Sequence, residues 1–444
     1  MARAGGRPEA TSHYEASIAL FESLGQKHAS ARVSALLAEI MWDTGRMGDA
    51  VAKMDQAYEV LSGEEPDEAF ATIAHQLGRL RFFSGHGETA TEPIEVALDT
   101  AESLWLPEVL SQGLNTKGVM LSALGRNKEG LALIRYSLEI ALENDLPAAT
   151  LRAYFNLADL TGRLDRYLEA RQYVDDGLAL ARRLGNRVWE WQMLGQAYSL
   201  LALGLWDELL AWEESLPPEA VSQSRNAFQA FLAYLPIIHA HRGELDKARD
   251  GLQILPDAGA SADIQEAASL ALGRAAIFRA ERRYAEALEQ ALEAFGIREE
   301  IGIGTEIVKE AVPEAAESAF QLGDLDRLES LIRTIEEVPR GKLPQSLYAH
   351  SLRLRGRLHA RRGEGEVEPF FKGAAGLFRE LSIPFWMAVT LLEHGEWLVD
   401  QGRTPEAQPL LDEAQGIFER LKARPWLDRL ASVEGYEVGA KAGS

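Results

Sequence analysis

The 444-residue sequence predicts an all-α solenoid of about ten antiparallel helix pairs, and three observations predict it. A helix-breaking signal returns about every forty residues in one register, at Gly45, Gly85, Gly125, Asp165, Gly204, Gly243, Arg282, Gly323, Gly363 and Gly402. Small residues recur at fixed offsets on either side of that break. Each interval also holds two apolar stripes of helical period, too short to bury themselves alone, so neighbouring units must stack.

Residues 1–24 are expected to supply the second helix of an incomplete leading unit. Gly5 stands one period before Gly45, with Ala10 and Ser17 at small positions and Tyr14, Ile18 and Phe21 as packing residues. This mid-unit start implies a piece of a longer protein or a shortened gene. Helix pairs then fill 25–424.

The unit from Leu106 to Leu146 shows how each pair is built. Pro107 opens a helix carrying Leu110, Leu114 and Leu121, and Gly125 with Arg126 ends it. A second helix from about Lys128 aligns Leu131, Ile134, Leu138 and Ala141, and stops before Pro147.

Seven positions before each break stand Ala38, Gly78, Gly118, Ala158, Ala197, Pro236, Ala275, Ala316, Gly356 and Gly395, nine of the ten being Gly or Ala. Five after it, Ala50, Ala90, Gly130, Ala170, Ala248, Ala287 and Ala407 are small, as are Ala57, Ala97, Ser137, Gly177, Ala294, Ala375 and Ala414 twelve after. Small side chains there let backbones approach closely. Pro66, Pro107, Pro147, Pro344, Pro384 and Pro425 punctuate the turns between units. The fifth and sixth units are the least regular, with Leu209, Pro217-Pro218 and Pro236. Residues 425–444 are expected to begin a capping helix and then become a flexible tail, through Gly435, Gly439 and Gly443.

This grammar resembles the tetratricopeptide repeat, in a long form of about forty residues. The resemblance implies a right-handed superhelix whose first helices line the concave surface. Three phrases go further: Leu104 to Gln112 (LWLPEVLSQ), Leu151 to Asp159 (LRAYFNLAD) and Ile417 to Trp426 (IFERLKARPW). They are similar to the C-terminal repeat region of bacterial regulators that join a class III adenylate/guanylate cyclase to a signalling ATPase. That likeness implies a sensing or docking arm, and no catalytic residue carries over with it.

Composition excludes several functions. The formal charge of -22 argues against nucleic acid, whose phosphates need clustered Lys and Arg. The acids are spread over every unit, as solvated outer helix faces require. With no cysteine there are no disulfides or thiolate sites, which fits a cytoplasmic location. The start lacks the apolar core of a secretion signal, and the apolar stretch from Phe228 to Ala240 is too short to span a bilayer.

No phosphate-loop, zincin or nucleophile-elbow motif occurs. Gly302 and Gly304 read as a loop. His239 and His241, two apart on a helix, point to different sides and do not share a metal. Glu299 and Glu300 adjoin a loop and make no acid/base pair. No enzyme activity, cofactor or metal is expected, and the carboxylate clamp of some tetratricopeptide folds is not reproduced around Asn115 and Arg152.

The offsets that the resemblance turns toward the groove select Arg152, Phe155, Asp159, Trp191, Leu194, Tyr198 and Ile237 as a partner-binding surface. An aromatic centre with polar rims suits a peptide hot spot. The same centre also reads as packing between irregular units. The charged C-terminal stretch of that groove holds Glu310, Glu317, His350, Arg353, Arg357 and Glu396. The expected function is a non-catalytic protein- or peptide-binding scaffold or sensing arm of a bacterial signalling regulator, acting on neither nucleic acid nor membrane. The alternative is a cis-acting regulatory fragment of a cyclase/ATPase or transcriptional regulator, with a small-molecule inducer in the central groove.

Overall fold

The computed structural model describes residues 7–43, 46–63, 65–217, 220, 225–255, 258–260, 263–339 and 341–433, and every regular element among them is helical. Two compact units divide the chain, Met1–Leu157 and Ala158–Ser444. Both are stacks of tetratricopeptide-like helix pairs, so the chain is an α-solenoid.

Unit 1 contains α1 (Arg7–Ser23), α2 (Lys27–Asp43), α3 (Met47–Leu61), α4 (Glu68–Phe83), α5 (Gly87–Leu104), α6 (Pro107–Ala123), α7 (Asn127–Glu143) and most of α8 (Pro147–Arg163). The periodic break has a common geometry. All nine described anchors, Gly85 to Gly402, have φ between +60° and +86°, including Asp165 and Arg282; Gly45 lies outside the described residues. A left-handed residue after the last helical turn returns free N–H groups to the helix carbonyls. Arg126 N–H, for example, reaches Leu121 O at 2.9 Å.

Half a period away a second left-handed series appears at Gly25, Trp105, Asp145, Gly185, Ser382 and Lys422, with φ from 51° to 69°. Four of these six are not glycine. The turns between units therefore use the same geometry without announcing it in composition.

A side chain in this region costs about 1 kcal/mol against glycine. Arg282→Gly should raise unfolding free energy by about 0.5–1 kcal/mol, read as a higher urea midpoint at unchanged slope. A midpoint that stays put or falls counts against strain at this turn.

The small positions meet as their spacing requires. A Cβ on Gly118 would lie 2.8 Å from Gly130 O, and one on Gly130 would lie 2.5 Å from Gly118 O. The residue seven before the break thus faces the residue five after it, backbone against backbone.

Unit 2 continues with α9 (Tyr167–Arg183), α10 (Arg187–Gly195), α11 (Tyr198–Ala202), α12 (Trp206–Glu214), α13 (Arg225–Phe228), α14 (Phe231–Arg242), α15 (Leu245–Gly251), α16 (Ile264–Ala280), α17 (Tyr284–Gly296) and α18 (Arg298–Ile301). After these come α19 (Glu306–Leu322), α20 (Leu325–Glu336), α21 (Gln345–Arg362), α22 (Glu368–Glu380), α23 (Pro384–Asp400), α24 (Thr404–Leu421) and α25 (Arg424–Ala431). The irregularity expected around units five and six is present. The first helix of the fifth unit breaks into α10 and α11, and α14 is buried along its whole length, as an apolar helix with no polar face must be.

Unit 2 also closes on itself. Arg242 donates to Leu421 O at 3.1 Å, and Asp207 accepts from both Arg242 and Lys422. Helix α25 seats Trp426 and Leu430 in the interior, where Trp426 donates to His241 Nδ1. The tail expected from 434 onward lies outside the described residues. No described helix is long and apolar enough to cross a membrane.

Candidate binding sites

Unit 1 carries a polar ladder across three consecutive first helices. His75 and Arg79 come from α4, Gln112, Asn115 and Thr116 from α6, and Arg152 and Asn156 from α8. The forty-residue period sets these side chains in line. Arg152 donates to Gln112 Oε1 at 2.6 Å and Thr116 Oγ1 at 2.7 Å, and its Nη1 stands 3.5 Å from His75 Nε2. Asn156 donates to Asn115 Oδ1 at 2.5 Å, and Asn115 donates to Ser137 Oγ.

Every one of these partners of Arg152 is neutral, and among the described residues it has no ion pair. Burial, then the neighbouring Arg79, pull its guanidinium down to about 9, so it remains charged at neutral pH. Burial, Arg152 and Arg79 together push His75 well below its ordinary value, so that imidazole is neutral. The ladder thus holds an uncompensated positive charge ringed by hydrogen-bonding groups.

The first helices of unit 2 meet in a charged interior instead of lining an open groove. Arg353, fully buried, donates to Glu393 through Nε at 2.7 Å and to Glu317 through Nη2. Arg357 reaches Glu317 at 2.6 Å and Glu393 at 3.2 Å. Burial alone would raise the Glu317 carboxyl, but Arg357 and Arg353 hold it far below the usual carboxylate range. Arg279 pairs with the buried Glu314 at 2.6 Å.

A second buried knot joins helices far apart in sequence. Lys309 Nζ donates to Asp165 Oδ1 at 2.6 Å, to Gly162 O at 2.9 Å and to the Tyr167 hydroxyl at 3.3 Å. Asp165 also accepts from the Ser346 N–H, the Ser346 hydroxyl and the Tyr167 hydroxyl. Burial works against its charge, yet Lys309 and these donors keep its carboxyl below its ordinary value. The one acidic residue among the ten anchors therefore serves as a turn former and as a ligand for Lys309.

Beside that knot lies a cavity of about 20 Å³, room for a water or two. Tyr198, Trp206, Ile237, His241, Phe385 and Trp386 form much of its wall, with Lys309, Glu310, Ser346 and His350 as polar members. Tyr198 donates to Glu310 Oε1 at 2.9 Å. Glu310 has no ion pair among the described residues, and burial, reinforced by Glu314 and opposed by Tyr198, Lys309 and Trp386, pushes its carboxyl up to about 7. The buried Nδ1 of His350 has no hydrogen-bond partner among the described residues.

The seven expected groove residues are scattered over these features. Arg152 stands in the unit 1 ladder. Phe155 and Asp159 are half-buried on the same helix, Asp159 pairing with Arg163 at 3.0 Å. Trp191, Leu194 and Ile237 are only 4%, 4% and 2% exposed, so here they pack between helices. Tyr198 and Ile237 line the cavity. Of the charged stretch placed in the groove, Glu317, Arg353 and Arg357 are buried and, together with Glu393, neutralise one another, because unit 2 brings its first helices into contact.

Sequence reasoning missed the Asp165–Lys309 knot, whose partners lie 144 residues apart. It also missed the interior ion cluster, although a signal existed: Glu317 and Arg357 hold the same register position in adjacent units with opposite charge. Among the described residues no cluster of His, Asp and Glu could hold a metal ion.

No protein-family model matches this sequence, and no curated protein does. Solved structures with similar helical arrangement include the human IFIT1 dimer with m7Gppp-AAAA, 14% identical, covering 87% of this chain and 90% of that one at a TM-score of 0.45. A Rap protein complexed with competence and sporulation factor is 12% identical over 89% of this chain and 99% of its own, with a TM-score of 0.44. The apo form of the quorum sensor NprR from B. thuringiensis is 15% identical over 86% and 99%, at 0.39. Likeness at this level concerns helical-repeat architecture and carries no information on ligands.

Proposed function

We propose that this chain is a non-catalytic binding scaffold, and that the first-helix face of unit 1 captures an acidic group on a protein or peptide partner. Arg152 carries the reading: a charged guanidinium with only neutral partners, flanked by Gln112, Thr116, Asn115 and Asn156. A carboxylate entering there gains charge-assisted bonds and balances a charge that the fold leaves unbalanced. The amides beside it suit the backbone of an extended segment. Phe155 extends the same face as an apolar contact. With the phrases around Leu104 and Leu151, this reading makes the chain the docking arm of a cytoplasmic bacterial signalling regulator, fused to or docked on a cyclase/ATPase module.

Selection from a displayed random-peptide library, followed by anisotropy titration of the selected peptides, tests it. Acidic peptides should be enriched, and Arg152→Gln should weaken their binding about tenfold or more. Lys117→Gln, at a lysine already paired with Glu95, should leave affinity within about twofold. Enrichment without acidic bias, or equal binding by the Arg152 variant, removes the basis for this site.

A further inference from the structure

We propose that the seat of α25 in unit 2 is a docking groove for a short basic helix anchored by tryptophan and leucine, and that α25 fills it as a ligand supplied in cis. This site lies wholly within unit 2 and does not depend on the peptide reading of unit 1.

Helix α25 has the pattern of a groove-bound ligand. Ala423, Trp426 and Leu430, spaced by three and four residues, are buried, while Arg424, Asp428 and Ala431 are exposed. One apolar stripe laid into a groove is how a helical segment docks on a folded protein. At eight residues the helix is too short to persist alone in water, so its seat holds it in shape. A single left-handed residue, Lys422, joins it to α24, and beyond α24 it packs chiefly on α14.

The seat is shaped for this occupant. Trp426 stacks on Phe418 at 5.9 Å and meets Phe385 edge-on at 5.5 Å. Its indole N–H donates to the buried His241 Nδ1 at 3.2 Å, a bond that phenylalanine cannot replace. The break glycines beneath the C-terminal hairpin admit it closely. A Cβ on Gly243 would lie 3.2 Å from the Pro425 ring, and one on Gly204 3.0 Å from a Leu421 methyl. At Gly85, Gly323, Gly363 and Gly402 a Cβ would meet nothing within 4 Å.

Acids flank the apolar centre. Asp207 pairs with Lys422 at 2.8 Å, and Glu396 pairs with Arg429 at 2.6 Å. Both pairs are open to solvent, so they favour a cationic helix while fastening it weakly. Trp426 and Leu430 therefore carry most of the attachment.

Anisotropy titration of a labelled peptide of residues 422–433 (KARPWLDRLASV) with the full chain tests the proposal. Trp426→Ala in the chain empties the seat and should bind the peptide about tenfold or more tightly than wild type, whose tethered α25 competes. Trp426→Phe in the peptide should weaken binding several-fold, and Trp426→Ala in the peptide should abolish it. Equal affinity of the two chains for the peptide, or no binding to the folded variant, overturns the proposal. Should Trp426→Ala fail to fold, Leu430→Ala takes its place under the same two criteria. Hydrogen exchange of the wild-type chain needs no variant: α25 amides should exchange well ahead of those in α24 and α14, and equal protection overturns the proposal.

Discussion

Glu317→Gln should cost about 3–5 kcal/mol of stability in unit 2, because it leaves buried guanidinium charge short of an acid. Arg353 is fully buried and Arg357 is 5% exposed, so neither can turn to water when Glu317 loses its charge. Glu393 would then have to balance both. The readout is urea unfolding followed by tryptophan emission, since Trp386 lies against Arg353. Glu396→Gln is the matched control. Its pair with Arg429 is about as close, at 2.6 Å, but both partners are 30% exposed, and the loss should stay within about 1 kcal/mol. Equal losses at the two sites would mean that burial does not set the strength of these pairs.

The same carboxylate fixes a pH dependence. Glu317 titrates far lower in the folded chain than the ordinary value of about 4.3 in an unfolded one. A depressed carboxylate contributes its full stability above the unfolded value and loses it as pH falls toward the folded one. Wild-type unit 2 should therefore lose stability steeply below about pH 4, and the gap to Glu317→Gln should narrow over that window. A gap that stays constant from pH 7 to pH 3 would show that the variant fails for reasons of packing.

What was legible in the sequence follows from which interactions are periodic. The break at Gly85, Gly125 or Gly323 is local chemistry repeated in every unit, so it could be read, while its left-handed geometry came from the structure. The small positions are equally periodic, and Gly118 meets Gly130 where the spacing demands. Trp105 and Ser382 escaped notice because their turns are stabilised by backbone bonds that any residue can make. The ladder around Arg152 was only half visible: its residues were in register, but their mutual hydrogen bonds depend on how closely α4, α6 and α8 approach. The interior of unit 2 was visible only as the opposite charges of Glu317 and Arg357 at one register position. Whether first helices border a groove or pack together depends on small rotations between units, summed over many, and on the segment between α12 and α16. No single residue encodes that closure. Asp165 held a hint, being the one acidic residue at an anchor, but its partners Lys309 and Ser346 lie in distant units.

Gly273→Ala should destabilise unit 2 by about 3 kcal/mol, the upper end for overpacking a well-fitted contact. A Cβ there would sit 2.0 Å from Leu232 O and 2.9 Å from a Leu252 methyl, so the backbones of α14 and α16 must separate. Gly195 has the same standing nine positions before its break, with a Cβ placed 2.2 Å from Ala227 O. These two glycines flank the irregular segment on its two sides, and each admits that segment's backbone where other units carry a side chain. The irregular stretch is thus seated by absence of side chains, and its buried helix α14 is held where Ile237 and His241 can line the cavity. Gly416→Ala supplies the contrast. Gly416 is exposed within α24 and a Cβ there meets nothing within 4 Å, so the substitution should stabilise by about 0.5–1 kcal/mol through helix propensity alone. One chemical change should therefore have opposite signs at two sites in one unit, measured as urea midpoints.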